Sequence, residues 1–214
     1  MIEEILPAEV VSVCACDDRM LGQLGPESVL FPEEAAVVAE SVAQRRQQFA
    51  TVRACARRAL AQMGLPRVPL LPNGRGAPQW PDGVVGSMTH CHGYRAAAVA
   101  RSVDTIAVGI DAEPHDPLPD GVLESVSLLS ERRWVLECEG FDPKVYWDRL
   151  LFSAKESVFK AWYPVTGLEL AFEEAEIRFE PDQGTFFARL LRAGPIVAGR
   201  ELKGFSGRWL VLGE

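Results

Sequence analysis

The segment IAVGIDAEPHD, residues 106–116, joins an apolar run to a cluster of acids. Ile106 to Ile110 has the composition of a buried strand. It ends in Asp111 and Glu113, which a two-residue spacing places on one face of an extended chain. Like charges that close repel, and withdrawing either from water is costly unless a cation lies between them. One account is a strand that runs out into a polar loop with both carboxylates solvated. The other is a hard-cation site, because oxygen-only ligands suit Mg2+, whose remaining positions are filled by water and substrate phosphates.

Outward from that segment the chain alternates strands and helices. Upstream, residues 84–89 and 95–100 read as strands separated by HCHG. Residues 64–83 hold five prolines and four glycines and read as loop. Nothing breaks a helix between Pro32 and Gly64, and capping-box spacing at Ser41-Val42-Ala43-Gln44 marks a joint between two helices. Residues 8–16 fit a strand. Downstream, 113–121 is loop, and Asp142-Pro143 has the form of an N-cap followed by proline at the first helical position. The helix it starts should run to Tyr163, where Pro164 ends it. Strands near 175–180, 185–192 and 207–212 follow. The expected class is α+β: two similar lobes, each a long helix packed on a small sheet. The lobes are taken as 1–104 and 105–214, with a division just after the acidic strand as the alternative.

Composition bounds the function. The chain has 214 residues, 48% hydrophobic and 24% charged, with no apolar run of membrane-spanning length. The acidic start MIEEILPAEV lacks the form of a signal peptide, so a cytoplasmic protein is expected. A net charge of −8 argues against nucleic acid as a general partner. The five cysteines contain no CxxC pair and complete no zinc pattern with the three histidines. Cys91, between two histidines, reads as a packed or loop cysteine ahead of a soft-metal ligand.

Two further clusters bear on chemistry. In LLFSAKESVFKAWYP, residues 150–164, an apolar stripe of Leu150, Leu151, Ala154, Val158 and Ala161 extends from Trp147. Glu156 lies opposite it, yet Phe152, Phe159 and Tyr163 crowd that side. An exposed pair with Lys160 is the bland account of Glu156, and a third metal ligand the sharp one. The other cluster is Arg45, Arg46, Arg53, Arg57 and Arg58 on one long helix. It is either a solvated face or a phosphate clamp, for which the forked guanidinium is suited. GSMTHCHGYR, 86–95, adds hydroxyls and His90.

Taken together, VGIDAEPHD, the helix WDRLLFSAKESVFKAWYP and the preceding GSMTHCHGYRAA resemble the Sfp-type 4'-phosphopantetheinyl transferases. Phe152-Ser153-Ala154-Lys155-Glu156 with Lys160 matches the family's helical signature. SMTHCHGY is similar to the branch that contains enterobactin synthase component D. RRQQFATVRACARRAL, GAPQWPDG and IDAEPHDPLPDGVL are closer to the actinobacterial enzymes. The resemblance spans roughly residues 31–181.

The resemblance implies two pseudo-twofold-related lobes, the N-terminal one for the coenzyme A nucleotide and the C-terminal one for the metal. It implies transfer of 4'-phosphopantetheine from coenzyme A to a serine of acyl or peptidyl carrier proteins, with release of adenosine 3',5'-bisphosphate. Asp111, Glu113 and Glu156 would hold Mg2+, for which Mn2+ could substitute. Arg53 with Arg45 (or Arg46, which has better helical phase) would grip the 3'-phosphate. Arg75 replaces the family's usual lysine beside Gly76 and Pro78 at the adenine. Ser87, Thr89 and His90 would serve the pyrophosphate, and Lys155 and Lys160 the charge building in the transition state. The resemblance also implies Glu156 as the general base for the serine, directly or through a metal-bound water. A monomer is expected, with no nucleic-acid or membrane partner. Two alternatives stand: a non-catalytic relative that holds coenzyme A or a carrier, and another Mg2+-dependent phosphoryl-transfer enzyme.

Overall fold

The computed structural model describes residues 2–19, 22, 29–197 and 199–212. The chain divides into two compact units, Ile2–Ala112 and Glu113–Glu214. The break falls within the acidic segment, between Asp111 and Glu113, and not at 104/105, because Val108 and Ile110 are buried in the N-terminal unit.

The N-terminal unit contains β1 (Val11–Ala15), α1 (Pro32–Val37), α2 (Ala43–Gln62), β2 (Val84–Cys91) and β3 (Tyr94–Arg101). Its strands form an antiparallel sheet in the order β1-β3-β2. The alternation of side chains sends Val13, Met88, Ala97 and Val99 to one face, where α2 packs with Ala54, Cys55, Ala56 and Ala59. The opposite face sends Ala96, Ala98 and Ala100 against Ile2, Val108 and Ile110. Alanine on both faces of β3 lets the two layers approach. Gly86 on β2 serves the same end, since a Cβ there would lie 2.7 Å from the Ala98 carbonyl oxygen and 2.9 Å from the Trp80 ring.

The 106–110 run is not a strand, contrary to expectation. Side-chain hydroxyls stand in for a backbone ladder: Ile110 N–H donates to Ser87 Oγ at 3.1 Å, and Ala112 N–H to Thr89 Oγ1 at 3.0 Å. Ser87→Ala should therefore leave the buried Ile110 N–H without its acceptor and cost about 1–3 kcal/mol, read by urea unfolding. The same-face argument for Asp111 and Glu113 loses its basis, because it assumed strand geometry.

The C-terminal unit contains α3 (Val122–Val126), α4 (Leu129–Phe141), α5 (Trp147–Thr166), β4 (Ala175–Glu180), β5 (Thr185–Leu190), β6 (Ile196–Val197), β7 (Arg200–Glu201) and β8 (Gly204–Arg208). The sheet order is β4-β5-β8, antiparallel throughout, and β6 and β7 form a separate hairpin. The α5 stripe of Trp147, Leu151, Ala154 and Val158 packs on Ile177, Phe179, Phe186 and Ala188. Trp134 stacks on Phe179 at 5.0 Å and meets Trp147 edge-on at 5.3 Å.

Two helix boundaries differ from the local signals. Asp142 does not open a helix; it closes α4, its N–H donating to the Cys138 carbonyl at 2.7 Å. The helix that precedes it, α4, has no counterpart among the expected elements. Pro164 lies inside α5, which continues to Thr166 and stops at Gly167 with φ of +67°. In the last turn a proline costs one intrahelical bond, and a left-handed glycine cap then ends the helix. The joint near Ser41 does exist, but the residue before α2 is Val42, and the Ser41 carbonyl accepts from the Arg46 guanidinium. Among the described residues no helix is long and apolar enough to cross a membrane.

Candidate active site

In the N-terminal unit the arginines of α2 separate into two groups. Arg45 is exposed, and its Nη1 lies 2.9 Å from His90 Nε2. A guanidinium only donates, so this contact requires Nε2 as the acceptor, which selects the Nδ1–H tautomer. Arg46 turns instead to the Ser41 carbonyl. Arg53 is buried, stacked over the Phe49 ring at 3.2 Å with Nε donating to the Leu70 carbonyl at 2.9 Å. Burial pushes its guanidinium down to about 10, against the raising pull of Glu34. Arg57 is fully enclosed, donating to both oxygens of Glu34 at 2.8 Å. The arginines expected to form one solvated face or one clamp are thus a surface pair with a histidine and a buried ionic core.

Ser87 and Thr89 are buried, at 3% exposure each, and bond to the 110–112 backbone. Thr89 Oγ1 also donates to Asp111 Oδ1 at 3.3 Å, which orients that carboxylate. Neither hydroxyl is placed at the surface as a phosphate-binding group would be. The GRGAP turn is built around Asn73, whose Oδ1 accepts from Arg75 N–H at 2.9 Å and Ala77 N–H at 3.1 Å. Gly76 sits at φ of +83°, and Pro72 bridges Pro78. A left-handed position inside so tight a turn favours glycine.

In the C-terminal unit, Glu113 Oε2 pairs with Arg149 Nη1 at 2.9 Å. Arg149 also donates to the carbonyls of Asp116 and Pro117, and Asp148 accepts from Leu118 N–H at 2.8 Å. The first turn of α5 thereby holds the loop that carries Glu113. Glu156 and Lys160 lie half-buried further along α5, and Phe159 stacks with Tyr163 at 6.1 Å. Glu156, Phe159, Leu170, Phe172 and Arg192 line a cleft of about 590 Å³.

Lys155, expected at the phosphates, is 3% exposed. Its Nζ lies 2.8 Å from Glu131 and donates to the Phe172 carbonyl at 2.7 Å and the Ala175 carbonyl at 3.0 Å. An ammonium has three protons to donate, and these acceptors use them. Burial pushes it below the usual lysine range, against the raising effect of Glu131. Lys155 therefore acts inside the fold. Sequence patterns do not single out its neighbour Glu131, nor Glu34 or Arg149. Glu34 and Glu131 nevertheless share a legible signal: each is the third residue of a helix whose preceding backbone N–H it accepts.

Among the described residues no group of three or more His, Cys, Asp or Glu side chains is placed to hold a metal ion. Asp111 belongs to the N-terminal unit, and Glu113 and Glu156 to the C-terminal unit. Their donor chemistry, three carboxylates without sulfur or nitrogen, fits a hard divalent cation.

Two consecutive segments define the class to which this arrangement belongs. Residues 33–100 match the 4'-phosphopantetheinyl transferase N-terminal domain, and residues 107–206 the 4'-phosphopantetheinyl transferase superfamily. The chain belongs to the 4'-phosphopantetheinyl transferase family, in its Sfp-type actinobacterial branch. It is 62% identical over 209 residues to the 4'-phosphopantetheinyl transferase Svp of Streptomyces mobaraensis, covering 98% of this chain and 84% of the relative. Against Npt of Nocardia iowensis it is 48% identical over 219 residues, 99% of this chain and 95% of the relative. Against PptT of Mycobacterium tuberculosis it is 46% identical over 215 residues, 99% and 93%.

Proposed function

We propose that this protein is an enzyme that moves the 4'-phosphopantetheine group of coenzyme A onto a serine of acyl and peptidyl carrier proteins, releasing adenosine 3',5'-bisphosphate. The observation that carries this is near-complete alignment with relatives named for that transfer, with the acidic segment and the Lys155-Glu156 helix both inside the family match. In the reaction the serine Oγ forms a bond to the phosphorus bearing pantetheine. The bond from that phosphorus to the bridging oxygen breaks, and the electron pair leaves with the nucleotide.

Arg45 would hold the 3'-phosphate by charge-assisted hydrogen bonds, and Arg53, buried beneath with its Nε on the Leu70 carbonyl, would add its positive charge from below the surface. The exposed Arg45–His90 contact supports this assignment, since it holds a guanidinium at the surface where an anion can reach it. His90 would serve a pyrophosphate oxygen, and Arg75, Gly76 and Pro78 would border the nucleotide. Lys160 would face the charge developing on the phosphates. Lys155 would act by fixing α5 against β4 so that the next residue, Glu156, points outward. Glu156 would take the serine Oγ proton. Asp111, Glu113 and Glu156 would hold Mg2+, or Mn2+, which when bound withdraws charge from the phosphorus under attack.

The finer fold proposal, two pseudo-twofold-related lobes, is supported by a repeated device internal to each unit. Glu34, third in α1, is buried with Arg57 of α2 and accepts from Leu70 N–H. Glu131, third in α4, is buried with Lys155 of α5 and accepts from Ile177 N–H. The N-terminal lobe would serve the coenzyme A nucleotide and the C-terminal lobe the metal. One chain carries both family segments, which favours a monomer, working in the cytoplasm where coenzyme A and carriers occur.

The test is intact mass spectrometry of an apo carrier incubated with the protein, coenzyme A and Mg2+. A gain of about 340 Da, lost with a chelator, is expected. No gain across several carriers, despite coenzyme A binding, would favour the non-catalytic relative. Arg45→Ala should weaken coenzyme A binding by about 1.5–3 kcal/mol, with dephospho-coenzyme A far less affected. Equal losses for both ligands in calorimetry would take Arg45 out of the 3'-phosphate site.

A further inference from the structure

We propose that Arg95, locked by Asp18 and Thr51, is a positioning residue for the Arg45–His90 pair. The inference rests on the reading above, in which that pair receives phosphate oxygens of coenzyme A.

Arg95 sits directly across the β2–β3 hairpin from His90, as its register partner. Partners across an antiparallel ladder project from the same face, here the face that packs on α2. Arg95 is 4% exposed. One side of its fork holds the hairpin, with Nη1 donating to the carbonyls of Cys91 and Tyr94. The other side grips Asp18, with Nε 3.1 Å from Oδ1 and Nη2 2.8 Å from Oδ2. Asp18 Oδ1 and the Gln47 carbonyl in turn lie 2.8 and 2.9 Å from Thr51 Oγ1 of α2, whose single proton they share.

A chain of bonds therefore runs from the turn that follows His90 to the helical turn that follows Arg45. It joins the same two elements that meet at the 2.9 Å Arg45–His90 contact. That contact is at the surface, where two side chains alone would contribute little and sample many rotamers. The buried latch beneath fixes the hairpin against α2 and so presets the separation of the two donors. Planar bidentate geometry is what lets one residue serve both elements, which a lysine does not reproduce.

The test is Arg95→Lys, followed by long-range 1H–15N NMR of His90 in the full chain and by steady-state kinetics. Wild-type His90 should be the Nδ1–H tautomer because its Nε2 accepts from Arg45. In a folded Arg95→Lys variant, His90 should shift towards Nε2–H. The KM for coenzyme A should rise about tenfold, the loss of roughly one charge-assisted bond, with kcat and the carrier KM retained. A folded variant with the wild-type tautomer and unchanged KM overturns the proposal. Should Arg95→Lys fail to fold, Thr51→Val decides: a smaller shift in the same direction upholds the latch, and a wild-type tautomer overturns it. A shifted tautomer with unaltered coenzyme A KM supports the latch and overturns the phosphate role of the pair.

Discussion

Glu156→Gln is expected to abolish transfer while leaving the fold and coenzyme A binding in place. The substitution preserves shape and removes one charge. Glu156 is half-buried on the outward side of α5, and the core of its unit is built from the opposite stripe. Stability measured by urea should therefore change little. Loss of a general base alone lowers rates by about 10²–10⁴-fold, and loss of a carboxylate from the proposed cation site adds to it. A single-turnover assay on an apo carrier, beside calorimetry with coenzyme A, separates the effects. Near-normal turnover would remove Glu156 from both proposed roles, whereas loss of coenzyme A affinity would assign it to ground-state binding.

The largest effect on folding should come from Glu34→Ala. Glu34 is completely buried and accepts four hydrogen bonds: both oxygens from Arg57 at 2.8 Å, and the N–H groups of Phe31 and Leu70 at 2.9 Å. Removing it leaves the Arg57 charge enclosed without its counterion and two backbone donors without acceptors. Breaking a buried pair from one side costs about 3–5 kcal/mol, a large fraction of the stability of a domain this size. The N-terminal unit should then unfold at low urea, seen by hydrogen exchange confined to that unit, β1 included. Replacing both partners, Glu34→Leu with Arg57→Met, should recover most of the loss, because apolar groups of similar volume need no counterion. A double variant as unstable as Glu34→Ala would place the stabilisation in the backbone bonds and not in the charge pair.

The features legible in the sequence are those that depend on local patterns. The hairpin of β2 and β3 follows from apolar runs flanking His92-Gly93, with Gly93 at φ of +73°. The proline- and glycine-rich 64–83 segment could be nothing but loop, and the apolar stripe of α5 predicted its buried face. The family motifs that contain Asp111, Glu113, Glu156 and His90, the residues proposed above for the site, were also readable, because a family resemblance is carried by side-chain types at fixed spacing.

What tertiary structure alone decided concerns groups whose partners lie far along the chain. IAVGI has the composition of a strand, but its N–H groups found hydroxyls on β2, so no ladder formed. Asp142-Pro143 carries a helix-start signal, yet α4 was already in place to use Asp142 as its end. Lys155 stands in a motif that suggests phosphate, and Glu131 on another helix drew it inside. Arg53 and Arg57 look like surface charge until Glu34 meets them. Periodicity and turn chemistry act over a few residues and leave their mark on the sequence. Burial of a polar group is determined by whichever distant partner satisfies it, because in a dry interior an unpaired charge or N–H costs more than any local preference supplies.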